Sequence, residues 1–311
     1  MEDKALVSVI CMAYNHGESI RKCLEGFVSQ KTDFKYEIII HDDASTDGTP
    51  DIIREFCEKY PELIKPIFQK ENQYSKGVQI VRQFMYPLAE GEYCAYCEGD
   101  DYWIDEGKLQ KQIDALRQHP ECDICATASY VYINGKRKRV VSPSCNDTVL
   151  PAGDVIRGGG GFVCSNTLVY RKEMDQNPMR FSAESEVDYF QQINGAIKGG
   201  MVFLQDVTGV YNLESAGSWS AAVRNDSSKK LKWNDEIIRM LNVLDEETEA
   251  RYHSSVEYMI KKIEFSNHRL RGEYKQIMGE DYKIYRNEMK PKQKLKLYLK
   301  YFATVLGGKA D

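Results

Sequence analysis

Short apolar runs separated by polar turns and helical stretches set the plan of the first half of this chain. Leu6 to Met12 (LVSVICM) is apolar and β-branched, the mark of a strand buried on both faces. Glu18 to Gln30 follows with Ile20, Cys23, Leu24, Phe27 and Val28 at helical spacing. Tyr36 to Ile40 (YEIII) predicts a second buried strand, ending in His41-Asp42-Asp43-Ala44-Ser45-Thr46-Asp47-Gly48-Thr49. Ser, Thr and Asp in that turn suit the cap of a helix through Ile52, Ile53, Phe56 and Cys57. A third strand at Ile64 to Gln69, a helix at Val78 to Leu88 and a strand at Glu92 to Cys97 complete the alternation. This β-α-β-α-β-α-β order predicts an α/β fold with a mostly parallel, doubly wound sheet and helices on both faces.

The later pattern is less regular. A helix is expected at Lys108 to Gln118, strands at Asp123 to Ile133, Phe162 to Tyr170 and Phe203 to Tyr211, and a helix at Glu184 to Lys198. Lys136 to Arg139 reads as a solvated basic turn. Gly158 to Gly161 reads as a loop or as a backbone cradle for phosphate. From about Asn225 the composition turns to Lys- and Glu-rich helical patterns, giving an expected α/β domain over 1–224 and a helical extension over 225–311.

Ligand sites of such sheets lie beyond the carboxyl ends of the strands. Three polar turns fall there: Ala13-Tyr14-Asn15, Asp42-Asp43, and Glu98-Gly99-Asp100-Asp101-Tyr102-Trp103. The last places Glu98, Asp100 and Asp101 within four residues, a hard-oxygen cluster that repels itself unless something positive joins it. A divalent cation carrying a diphosphate is such a partner; a solvated acidic turn is the plainer alternative. The Gly-x-Gly-x-x-Gly and Walker A patterns are absent, which weakens a dinucleotide reading and removes the P-loop class.

At 311 residues with net charge −5, the chain can hold one large domain or a domain plus an appendage and shows no nucleic-acid footprint. No apolar run is long enough to span a bilayer, and the opening Met1-Glu2-Asp3-Lys4 does not predict a signal peptide. Nine cysteines without a regular framework suit a cytoplasmic setting. Cys94-x-x-Cys97 and Cys122-x-x-Cys125 imitate a zinc ribbon, but both pairs sit in strand-like runs, where residues i and i+3 face opposite ways. Buried thiols are the expectation.

Three segments in order resemble the family 2 glycosyltransferases, nucleotide-sugar enzymes of the GT-A (Rossmann-like) fold. VSVICMAYNHGESIRKCLEGFVSQ is similar to the opening strand, Tyr-Asn turn and helix of that family. YEIIIHDDASTDGTPDII is close to its Asp-Asp-x-Ser-x-Asp-Gly-Thr block, and GEYCAYCEGDDYW followed by KLQKQ to its metal-binding segment. The likeness spans about residues 5 to 222. It implies that Tyr14 lies against the nucleotide base, that Asp43 accepts from a base imide N–H, and that Asp100 contacts the ribose. Asp101 would bind Mg²⁺ or Mn²⁺ bridging the diphosphate, while Asp42 and Asp47 shape their turn. The stretch SEVDYFQQINGAIKGGMVFLQDVTGVY places Asp188 as the general base for the acceptor hydroxyl, with Glu186 as competitor about 200° around a helix. An inverting transfer follows, from a nucleotide diphosphate sugar, UDP-linked by expectation, to a saccharide or lipid-linked acceptor in surface polysaccharide or glycolipid assembly. A nucleotidyltransferase and a non-catalytic nucleotide-sugar-binding module are the alternatives.

Three departures stand out. Tyr211-Asn212-Leu213-Glu214 replaces a Tyr-Arg-x-His pattern, so a phosphate contact from that Arg or His is in doubt and Ser218 and Trp219 become candidates. Gly158 to Gly161 replaces a Gly-Asn pair, and Glu98-Gly99 replaces an Asp and another residue. At the far end, Lys292 to Leu306 is a helix candidate with Leu295, Tyr298, Leu299, Phe302, Val305 and Leu306 along one side. Lys290, Lys292, Lys294, Lys296 and Lys300 accompany it. Such a helix packs on the rest of the protein or rests on an anionic membrane at its cytoplasmic face.

Overall fold

The computed structural model describes residues 4–133, 135–185, 187–213 and 226–307. The chain forms two compact units, 1–221 and 222–311.

The first unit is built on β1 (Val7–Ala13), β2 (Tyr36–Asp42), β3 (Ile64–Phe68), β4 (Tyr93–Tyr96), β5 (Tyr102–Trp103), β6 (Ile124–Ile133), β7 (Lys136–Val141), β8 (Thr148–Leu150), β9 (Val169–Arg171) and β10 (Met201–Asn212). They join in the order β3-β2-β1-β4-β9-β6-β10-β5, with β7 beside β6 and β8 beside β10. Strands β3, β2, β1 and β4 are parallel neighbours. Strand β9 runs antiparallel to both β4 and β6, so β6 and its parallel partner β10 point the same way as β1. The carboxyl ends of β1, β2, β4 and β10 therefore open on one edge, which is what gathers residues far apart in sequence.

The helices are α1 (Ile20–Val28), α2 (Thr49–Lys59), α3 (Lys108–Gln118), α4 (Ala152–Gly158), α5 (Lys172–Gln176), α6 (Arg180–Ala183) and α7 (Asp188–Ala196). Helix α1 buries Ile20, Cys23, Leu24 and Phe27, and each large apolar side chain so buried contributes about 1.5–3 kcal/mol. Gly26 lets α1 approach β5, since a Cβ there would come 2.7 Å from the Trp103 carbonyl oxygen. Trp103 in turn packs edge-on to Phe27 with ring centroids 4.6 Å apart and donates its indole N–H to the Asn166 carbonyl at 2.7 Å. Helix α2 carries Pro50 in its first turn, Asp51 beside it and Lys59 in its last, an arrangement that suits the helix dipole.

The second unit is helical: α8 (Ser227–Glu247), α9 (His253–Arg271), α10 (Lys283–Glu288) and α11 (Pro291–Gly307). Asp226 caps α8 by accepting the backbone N–H groups of Ser228 and Lys229. Gly272, at φ 78°, closes α9, whose last turn carries His268, Arg269 and Arg271. Phe265, Ile277, Tyr285 and Leu297 form its small core, and Asn234 donates to Asn267 across α8 and α9 at 2.6 Å.

Most early elements fall where the pattern places them, and four later expectations are corrected. The helix over Val78 to Leu88 is instead a π-turn, Val81–Met85, running into a 3-10 turn, Tyr86–Leu88. Pro87 has no N–H to return to the preceding turn. Lys136 to Arg139 is not a turn but the start of β7, because Gly135, at φ 69°, makes the reversal one residue earlier. The strand over Phe162 to Tyr170 shortens to Val169–Arg171, since the Thr167 N–H and hydroxyl both return to the Cys164 carbonyl and wind a 3-10 turn. The helix over Glu184 to Lys198 starts only at Asp188; Ser185 accepts the Val187 N–H and interrupts it. In the glycine run, Gly158 ends α4 and faces the Phe162 ring, where a Cβ would come within 2.1 Å.

Candidate active site

The turn after β1 and the turn after β2 are stitched together side chain to backbone. Asn15, at φ 56°, donates its N–H to Ser45 Oγ at 2.9 Å and accepts the Thr46 N–H at 2.8 Å. The His16 N–H reaches Thr49 Oγ1 at 2.8 Å, and the Gly17 N–H reaches Asp47 Oδ2 at 2.9 Å. Asp47 Oδ1 accepts the Thr49 N–H at 2.9 Å, and Asp42 Oδ2 accepts that of Ser45 at 3.2 Å, so both shape this turn. The many polar residues here are thus used to fix one backbone conformation. Tyr14, 46% exposed, projects from this frame.

Asp43 is only 3% exposed. Its two oxygens accept the backbone N–H groups of Gln73 and Tyr74 at 2.8 and 3.0 Å, which ties the loop after β3 to the end of β2. An ionised carboxylate has about four lone-pair directions, so Asp43 keeps acceptor capacity beyond these two bonds.

The acidic run hangs from the end of β4. The Gly99 N–H donates to the Met12 carbonyl at 2.9 Å, and the Ser19 hydroxyl to the Gly99 carbonyl at 3.0 Å. A Cβ on Gly99 would lie 2.8 Å from Ile20 Cδ1 and 2.9 Å from His16 Nδ1, so only glycine fits without movement. From the opposite side, the last residue of β10 grips the run. Asp101 Oδ1 accepts the Asn212 N–H at 2.7 Å, and Asn212 Nδ2 donates to the Asp100 carbonyl at 2.5 Å. Asn212, where the sequence departs from the Tyr-Arg-x-His pattern, thereby acts as a clamp on the acidic turn. Glu98 accepts the Tyr96 hydroxyl at 2.8 Å.

Asp188, first residue of α7, lies near enough for its charge to act on Glu98 and Asp101 and is hydrogen-bonded by Ser165. Burial, with the Asp100 and Asp188 charges, pushes Glu98 up to about 8. Burial, then Asp100, Glu98 and Asp188, raises Asp101 well above the usual carboxylate range against the Asn212 bond. Asp188 is raised by burial, with the Ser165 bond acting against it. Tyr211 is raised by burial and by all four carboxylates, which marks it as their common neighbour. Glu186 lies outside the described residues, as do Ser218 and Trp219.

Such a cluster calls for positive charge. The donors are hard oxygens, suited to Mg²⁺ or Mn²⁺, and a cation among them offsets both the burial and the repulsion that raise Glu98 and Asp101. Among the described residues no three His, Cys, Asp or Glu side chains converge on one metal position. Mg²⁺ commonly takes one or two carboxylates and completes its shell with water and substrate phosphates, so these residues fit an ion that arrives with a diphosphate.

His16 escapes sequence reasoning. Its Nδ1 is buried without a hydrogen-bond partner, and burial lowers its pKa although Asp100, Asp47 and Asp42 pull the other way. The only signal is its place inside the Tyr-Asn turn. The cysteines are free thiols. Burial pushes Cys97 and Cys122 up to about 11 and Cys125 to about 12, disfavouring the thiolate a zinc site requires.

A parallel sheet edge that presents a stitched Tyr-Asn turn, a buried Asp-Asp turn and a carboxylate cluster defines a GT-A nucleotide-sugar fold. Residues 8–180 match the model of glycosyl transferase family 2, and the chain belongs to that family. It is 34% identical over 217 residues to an uncharacterized protein of Mycobacterium tuberculosis H37Rv, covering 70% of this chain and 61% of that protein. It is 40% identical over 108 residues to WfaP of Escherichia coli, a UDP-Glc:α-D-GlcNAc-diphosphoundecaprenol β-1,3-glucosyltransferase, covering 35% of this chain and 40% of WfaP. Its fold is similar to that of Staphylococcus aureus TarS in complex with UDP-GlcNAc, with a TM-score of 0.60 at 18% identity, over 94% of this chain and 79% of TarS 1-349. The chain spans less than two thirds of the length of the mycobacterial relative. Among the described residues, no helix is long and apolar enough to cross a membrane.

Proposed function

We propose that this chain transfers a sugar, with inversion, from a nucleotide diphosphate sugar to a hydroxyl of a saccharide or lipid-linked acceptor. The setting is surface polysaccharide or glycolipid assembly at the cytoplasmic face of a membrane. The observation that carries this reading is that Asp188, at the start of α7, lies close enough for its charge to act on Glu98 and Asp101 at the end of β4. Two carboxylate functions, one for the departing diphosphate and one for the incoming hydroxyl, are what an inverting displacement needs. UDP is the favoured nucleotide because WfaP is named for a UDP-Glc donor, and TarS, similar in fold, is in complex with UDP-GlcNAc.

Tyr14 stacks on the base, which its exposure supports, and Asp43 accepts from the base with its remaining lone pairs. Asp100 contacts the ribose, and Asp101 holds Mg²⁺ or Mn²⁺. When bound, that ion supplies charge neutralisation for the leaving nucleoside diphosphate. Asn212 fixes the direction of Asp101. Asp188 takes the acceptor proton: burial raises its proton affinity above that of an ordinary carboxylate, which strengthens it as a base. The exposed apolar and basic sides of α11 support a contact of residues 292–306 with an anionic membrane, which would bring a lipid-linked acceptor within reach.

Incubation with UDP-, GDP- and dTDP-sugars and Mn²⁺, followed for sugar release and transfer, tests the reading. UDP-sugar turnover that Asp188→Asn removes is expected. Donor binding without turnover on any acceptor would reduce the chain to a nucleotide-sugar-binding module.

A further inference from the structure

Residues of α8, α9 and α11, with Tyr274, line an open cleft of about 240 Å³ on the helical unit. Four cations line it: Lys230, Arg269, Lys296 and Lys300. Ser266 and Tyr274 add hydroxyl donors, and among the described residues no Asp or Glu contributes to the lining. The acidic residue beside Tyr274 in sequence, Glu273, is already held by His268 at 2.6 Å. The Lys300 ammonium lies over the Tyr274 ring at 5.6 Å and the Arg269 guanidinium over the Phe265 ring at 5.8 Å, so each charged head rests on an aromatic face rather than on a carboxylate. Like charges gathered without carboxylates repel one another and favour an anion.

The same helix, α11, turns Leu297 inward, 3% exposed, and leaves Leu295, Leu299, Phe302 and Leu306 between 54% and 70% exposed. At 100° per residue these four fall within an arc of about 60°, flanked on one side by Lys292 and Lys296. An apolar ridge beside cations is the profile of a helix lying in a membrane interface.

We propose that this pocket seats the phosphate of an anionic phospholipid headgroup while the Leu295–Leu299–Phe302–Leu306 ridge enters the acyl boundary. The proposal rests on the membrane reading of α11 above and sharpens it from a diffuse attraction to a built site. The size agrees: the cleft is below the range of about 300–1,000 Å³ usual for whole small-molecule ligands, so it suits a headgroup rather than a saccharide chain. The ridge favours a lipid over a soluble anion, which would leave those four side chains without use.

Flotation of the full chain with phosphatidylcholine vesicles, with and without phosphatidylglycerol, tests it. Binding should require phosphatidylglycerol. Arg269→Gln/Lys296→Gln and, separately, Lys230→Gln/Lys300→Gln should lower the partition coefficient roughly tenfold more than the charge-matched pair Lys290→Gln/Lys292→Gln outside the pocket. Leu299→Ser/Phe302→Ser should abolish it, with thermal melts checking that each variant folds. Equal losses from pocket and control pairs would mean diffuse electrostatics and overturn the site, as would equal binding to neutral vesicles or an unaffected Leu299→Ser/Phe302→Ser variant. Pyrophosphate binding to the pocket without vesicle binding would assign a soluble anion instead. UDP-sugar hydrolysis without vesicles, measured in parallel, reads the carboxylate site alone, so its failure counts against the proposed transfer and not against the pocket.

Discussion

Between Glu98 and Asp101 the charges are largely buried and held by the fold, whereas between Lys290 and Lys300 they stand largely in solvent. Asp101 is 2% exposed and held by Asn212; Asp100 is 9% exposed, and its carbonyl is held by the same residue. Lys290, Lys292, Lys296 and Lys300 are exposed, and α11 is anchored by Leu297 beneath them. Burial makes the first cluster costly, since the carboxylates lose water and repel, so it persists only because the fold over-determines its geometry. The second costs little, because each ammonium keeps its hydration. A buried cluster is suited to chemistry at fixed positions. An exposed one is suited to a surface partner that brings its own counter-charge.

The contrast can be broken most severely at Asp101. Asp101→Ala should lower metal-dependent transfer from a UDP-sugar by roughly 10³-fold or more, while a thermal melt shows the fold kept. Asp188→Asn should cost about 10²–10⁴ in turnover and leave donor affinity, measured by calorimetry, unchanged. Loss of donor affinity instead would move Asp188 from the acceptor side to the donor side.

Lys108 sharpens the point that buried charge is expensive. It is fully buried with its Nζ 4.1 Å from the Trp103 ring centre and without a hydrogen bond, and burial lowers its pKa from 10.5 to about 7. The unfolded chain therefore binds the additional proton between those two values, so this penalty is full below about pH 7 and fades as pH rises towards 10.5. Lys108→Met should stabilise the protein by about 1–4 kcal/mol at neutral pH and flatten the rise of Tm with pH. A lower Tm at pH 7 would show that the ammonium–indole contact outweighs burial.

Gly99→Ala, which drives a methyl into Ile20 and His16, should cost about 1–3 kcal/mol in a denaturant melt and reduce transfer along with it. The smallest effect is expected in the helical unit. Arg269→Gln/Lys296→Gln should change UDP-sugar hydrolysis in solution by less than about twofold, since surface charge contributes little away from its partner.

Periodicity reads the early elements well because they are long, regular and bounded by turn residues. It misreads Val78 to Leu88, where one proline breaks an otherwise helical pattern, and Phe162 to Tyr170, where Thr167 turns the backbone through its bonds to the Cys164 carbonyl. In the candidate site, Asp43, Asp100, Asp101 and Asp188 are legible in the sequence, but their partners are not. That Asp43 receives two amides from the loop after β3, and that Asn212 holds Asp101 from 111 positions away, depends on which loops meet at the sheet edge.

The sequence by itself determined the strand–turn–helix order, the family and the carboxylates at the strand ends, because periodicity, capping and turn chemistry act over a few residues. Only the tertiary structure decided the clamp by Asn212, the orphaned His16, the burial of Lys108 and the lining of one cleft by Lys230, Arg269, Lys296 and Lys300. These are meetings between segments remote in sequence. Their closeness is set by how sheet and helices pack, which no local pattern encodes.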